Sequence, residues 1–185
     1  MKFEQKIFIT FLIIGRILDL FTTYRISWAL KNEKNPLIKY NLLGPGSFLF
    51  LQIIVTAILV IAAIYYFKNK KNFYPQNKKT YANFSKYYFS GEYSAWSNIL
   101  FDPRLILKPK YRCHILNFQL IIIPSISIVN YFFGTINNIS VKYYNQDLLI
   151  FGFIWTIIIL GFISFIILSV IILKINYKEY LKEFS

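Results

Sequence analysis

The chain has 185 residues, of which 56% are hydrophobic, 20% aromatic and only 16% charged, a balance too apolar for an ordinary soluble domain. One cysteine, Cys113, and one histidine, His114, exclude an internal disulfide framework and the usual zinc spacings. The formal charge of +13 is compatible with nucleic acid, anionic lipid or the cytoplasmic loops of a membrane protein, so the positions of the charges decide.

The first apolar stretch, residues 7–30, follows Lys2 and Lys6 in the manner of a signal peptide. Arg16 and Asp19 occupy the place of a small-residue cleavage site, which predicts an uncleaved first membrane helix instead. "GPGS" at 44–47 breaks the chain, and Ser47 is the expected cap of a second span over 48–67.

Residues 68–114 alternate basic and aromatic side chains. Such a segment suits an anionic headgroup layer better than RNA, with Lys68, Lys70, Lys71, Lys78, Lys79, Lys108, Lys110 and Trp96 at the lipid surface. Within it, 81–90 and 93–101 are candidate interfacial helices separated by Gly91 and stopped at Asp102-Pro103. The adjacent Cys113-His114 pair is read as structural, because catalytic partners meet in space rather than along the chain.

A third span over 115–133 contains Asn117, Gln119, Pro124, Ser125, Ser127 and Asn130, so a re-entrant or kinked segment is its alternative. The fourth, 148–173, is the most apolar. Each segment approaches the ~20 residues needed to cross a ~30 Å hydrocarbon core. The fold class expected is therefore all-α, a polytopic membrane protein of four transmembrane helices in a single membrane domain.

Lysine and arginine counts orient it. The amino terminus, the 68–114 loop and the carboxyl tail carry fifteen, whereas the two opposite loops carry four. Both termini and the basic loop are accordingly expected in the cytoplasm, with the chain in the plasma membrane. This distribution accounts for most of the positive charge and removes the main support for nucleic-acid binding.

Rising ~1.5 Å per residue from position 7, Arg16 and Asp19 lie ~13–18 Å deep, whereas Arg25 reaches the outer surface. A charge at a helix centre costs roughly 2.5–3.5 kcal/mol on insertion scales. The i, i+3 spacing lets Arg16 and Asp19 form an ion pair on the face that also carries Thr22 and Thr23. Gln52, Asn130, Glu33 and Asn35 belong to the same outer level, so these residues are candidates for an outward-opening ligand site. A structural ion pair ordering the bundle is the alternative.

Asp19-Leu20-Phe21-Thr22-Thr23, followed by Glu33-Lys34-Asn35-Pro36, a glycine-containing turn and another span, resembles the first hairpin of a family of small bacterial and archaeal multi-spanning membrane proteins of unknown function. That family's pattern is Asp, two or three residues, Thr, then Glu-x-Asn-Pro, and the likeness covers roughly residues 7–67. The resemblance implies the compact four-helix fold and the same polar residues. The family commonly has a lysine in the second helix where this chain has Gln52, a charge that Arg16 is placed to replace, and the long basic loop looks like an insertion.

The function expected is a binding, transport-associated or complex-assembly component, acting as a homo-oligomer or with a membrane partner. A structural protein with a lipid-binding basic loop and an intramembrane enzyme using Asp19 and Glu33 are the alternatives. No nucleophile motif, glycine-rich phosphate loop or HExxH pattern favours the enzyme, and no metal or cofactor is expected.

Overall fold

In the computed structural model, the described residues are 3–26, 44–77, 79–91, 109–144 and 153–183. They form five α-helices: α1 (Phe3–Ile26), α2 (Pro45–Asn69), α3 (Tyr81–Ser90), α4 (Pro109–Tyr144) and α5 (Phe153–Leu181). A short 3-10 turn, Lys70–Phe73, follows α2. Four of the helices, α1, α2, α4 and α5, are long and apolar enough to cross a membrane. The protein is all-α with four membrane spans.

Local chemistry explains the helix ends. Glu4 in the first turn of α1 and Arg25 in its last both complement the helix dipole. Helix α2 starts earlier than Ser47: Gly44 is the N-cap in an extended conformation and Pro45 follows it, with no side-chain cap. Proline's fixed φ and missing N–H suit the first helical position, so the helix begins there and Ser47 falls inside the first turn. Helix α3 ends where Gly91 takes φ 71°, a left-handed conformation that a glycine adopts without strain.

Helix α4 is continuous across 36 residues and includes Pro124, so the third span is not re-entrant. Ser125 and Ser127 donate to the carbonyls of Ile121 and Ile123 at 2.8 and 3.0 Å, reinforcing the turns beside the proline. Its polar residues are tolerated because α4 is central, packing against α1, α2, α3 and α5. Buried residues make up 39% of its span, against 11–17% in the other three.

Helix α5 continues beyond the expected end at 173 to Leu181. Its final turns bury Asn176 and Tyr180 in an aromatic cap formed by the chain that follows α2. That cap, with α3, covers the amino-terminal end of the bundle, where Tyr66, Tyr74, Phe84, Tyr88, Phe118 and Tyr180 share one core. The opposite half has much smaller clusters, around Leu12, Leu59 and Tyr131 and around Phe48. The outer faces of the spans are apolar, with Phe50, Ile61, Phe162 and Ile167 all more than half exposed. Such surface is unfavourable in water and suits hydrocarbon.

Candidate polar site in the membrane interior

Arg16 is the hub of the polar layer. Its Nη1 donates to Asp19 Oδ2 at 2.8 Å, Nε to Thr56 Oγ1 at 3.3 Å, and Nη2 to Gln52 Oε1. The guanidinium also stands over the Tyr131 ring, 4.1 Å from its centre. A planar donor fork is well matched to this set of a carboxylate, an amide, a hydroxyl and a π face. One side chain of α1 thereby joins α2 and α4, and its charge is balanced within one turn by Asp19.

Two glycines leave room for side chains where α1 meets α4. A Cβ placed on Gly134 would lie 2.5 Å from Asp19 Oδ1, and one on Gly15 would lie 3.3 Å from the Phe132 ring. Small residues at such crossings let helix backbones come together in a membrane. One turn further along, Asn138 Nδ2 donates to Thr22 Oγ1 at 3.2 Å and Thr23 Oγ1 at 3.0 Å. Thr22 in turn bonds back to the carbonyls of Leu18 and Asp19. Asn130 lies one turn before Gly134, and its Oδ1 is buried with no donor among the described residues.

The structure therefore brings Arg16, Asp19 and Gln52 into direct contact and places Thr22 and Thr23 on the adjoining turn, with Asn130 on the neighbouring helix. Glu33 and Asn35 lie outside the described residues. The guanidinium of Arg16 reaches Gln52 across the α1–α2 contact. Thr56, Tyr131, Gly134 and Asn138 were missing from the sequence-based set. Thr56 follows Gln52 at i+4 and was legible from helical periodicity. The three on α4 become partners through a tertiary contact that no local pattern announces.

A second polar network lies in the cap. Asn176 Nδ2 and Tyr88 Oη both donate to Tyr66 Oη, at 2.6 and 3.0 Å, and Asn117 Nδ2 donates to Tyr88 Oη at 3.2 Å. Burial pushes the Tyr74 phenol well above its ordinary range, with the nearby Glu179 charge adding to the shift. Burial likewise raises Tyr88. His114 is buried, its Nδ1 3.0 Å from the Tyr88 carbonyl, whereas Cys113 is exposed. These neighbours point in different directions and the histidine holds the cap.

The lysines expected at the lipid surface differ in their surroundings. Lys70 is buried and paired with Glu179, and Lys71 is paired with Glu183 at an exposed site. Lys70 is thus turned into the protein because α5 extends far enough to supply its carboxylate. Lys68 is exposed and Lys79 half-buried. Lys110 belongs to the first turn of α4, while Lys78, Trp96 and Lys108, like the expected helix at 93–101, lie outside the described residues. Helix α3, expected at the interface, buries Phe84 and Tyr88 in the cap. Among the described residues, no group of three His, Cys, Asp or Glu side chains is placed to hold a metal ion.

Comparison of the chain with family models, curated proteins and solved structures gave no match.

Proposed function

We propose that this protein is a binding or complex-assembly component of the plasma membrane, with both termini and the 68–114 segment in the cytoplasm, and that its Arg16–Asp19 layer receives a polar group from a ligand or a neighbouring helix. The observation carrying this reading is that the side chains of Arg16 and Asp19 remain 12% and 20% open at mid-span. Charge facing hydrocarbon is unfavourable, whereas charge facing a partner's polar group is compensated. The excess of lysine and arginine on one side supports the orientation.

A photocrosslinker at Leu18, beside the layer, tests the proposal in native membranes. The expected result is a discrete adduct that disappears in the Arg16→Gln/Asp19→Asn variant, which keeps the layer neutral. Adducts no different from those formed from Phe162, on the outer face of α5, would overturn it.

A structural reading is favoured by the completeness of Arg16's own bonding, which by itself registers three helices. It predicts no layer-specific adduct. The enzymatic reading is weaker, because Arg16 already engages the carboxylate that acid or base chemistry would require.

A further inference from the structure

A groove of about 370 Å³ opens at the amino-terminal end of the bundle, between the start of α3 and the last turns of α5. This is within the size range of small-molecule sites. It is lined by Tyr81, Ile171, Lys174, Ile175, Tyr177 and Lys178. On α5, positions 171, 174, 175 and 178 recur at helical spacing and share one face. Ile171 and Ile175 are 46% and 50% exposed, and they continue the apolar outer surface of α5 from Ile167 and Val170.

One wall is fixed in advance. The Tyr81 and Tyr177 rings meet edge to face at 5.3 Å, and Tyr177 Oη donates to the Lys79 carbonyl at 3.2 Å. The lysines complete the chemistry. Lys174 is the first charge on α5 after the apolar span, at the depth where hydrocarbon gives way to headgroups. Lys174 and Lys178 are both exposed and, unlike Lys70 and Lys71, have no ion-pair partner among the described residues.

We infer that this groove seats an anionic phospholipid, its upper acyl methylenes against Ile171 and Ile175 and its phosphate between the Lys174 and Lys178 ammonium groups. Lysine stems lie along apolar surface while their heads reach polar partners, and aromatic rings favour this depth. A soluble anion would gain nothing from the isoleucine floor. An acyl chain continues it along α5.

The test is native mass spectrometry of the full chain in neutral detergent, titrated with phosphatidylglycerol and, separately, with phosphatidylcholine. Phosphatidylglycerol is expected to be retained preferentially. Lys174→Gln/Lys178→Gln should lower its affinity about thirtyfold, given roughly 1 kcal/mol for each of the two lysines near an anionic surface. Lys174→Arg/Lys178→Arg should retain it, and Ile175→Trp should lose it with both lysines still present. Lys6→Gln/Arg112→Gln removes the same charge at two other exposed positions and should change affinity less than about twofold. Equal retention of the two lipids, or equal weakening by the two glutamine pairs, would overturn the assignment. Helical circular dichroism of each variant separates loss of binding from loss of fold.

Discussion

Around Arg16 a charged group is held by three side-chain partners and an aromatic face where α1 meets α2 and α4. Around Tyr66, neutral phenols and amides are linked inside the largest buried cluster among the described residues. The two networks offset desolvation by different means. The first relies on opposite charge, since both side chains are largely enclosed, 12% and 20% exposed, and each keeps a full charge there. The second relies on neutral groups that lose less on leaving water, enclosed by packed rings. Removing one partner should therefore be most damaging where it leaves a charge uncompensated.

The largest expected effect is that of Arg16→Leu, which leaves Asp19 without its cation at mid-span and should destabilise the bundle by about 3–5 kcal/mol. Unfolding in mixed micelles measures this. Arg16→Leu/Asp19→Leu should restore most of the loss, because an ion pair replaced by apolar groups of similar size is often neutral or stabilising. A double variant as unstable as Arg16→Leu would show that the charge itself is not the issue, and the contrast between the networks would fail.

In the cap, Tyr66→Phe removes the acceptor shared by Asn176 and Tyr88, which are 2% and 0% exposed. The expected cost is about 1–3 kcal/mol, smaller because the orphaned groups are neutral. Near-ultraviolet circular dichroism should show looser ring packing while far-ultraviolet helicity persists. A loss matching that of Arg16→Leu would erase the distinction between charge compensation and burial.

The same contrast explains what the sequence made legible. Four spans follow from apolar runs of bilayer length, and Arg16 with Asp19 follows from i, i+3 spacing, because both are local signals. Gly134 and Asn138 become meaningful only once α4 lies along α1, more than a hundred residues away. The aromatic segment after residue 68 posed a different problem. Its periodicity marks Phe84 and Tyr88 as apolar-facing, but periodicity does not say whether lipid or protein covers that face. In the structure Tyr74 and Tyr180 cover it. The same ambiguity applies to lysine: a run of basic residues does not reveal that Glu179 on α5 comes back to meet Lys70.

Alkaline pH probes the cap without a mutation. Tyr74 and Tyr88 are held above their ordinary value of 10.0, chiefly by burial. Below about pH 10 both the folded and unfolded chains keep these protons, and the cap has its full stability. Above it the unfolded chain releases protons that the folded chain retains, so stability falls as pH rises, by about 1.4 kcal/mol per group for each unit. Phenolate absorbance should therefore rise in two stages, exposed tyrosines first and these two with the loss of near-ultraviolet dichroism. Their ionisation in a still-packed cap would contradict the burial argument.

The smallest expected effect separates two ion pairs that differ mainly in their surroundings. Lys70–Glu179 has side chains 6% and 19% exposed, whereas Lys71–Glu183 has 51% and 37%. Both link the turn after α2 to the end of α5, so topology alone would rank them equally. Water and salt screen the outer pair, and ordering two long side chains offsets much of its attraction, so Lys71→Gln should cost about 0–1 kcal/mol and lose even that in high salt. Lys70→Gln leaves Glu179 partly enclosed against the aromatic cap, where screening is weaker, and should cost more and persist in high salt. Melting both variants at low and high ionic strength gives the comparison. Equal, salt-sensitive losses would mean that the cap admits solvent around Lys70, and enclosure could then no longer account for the stability of the Tyr66 network.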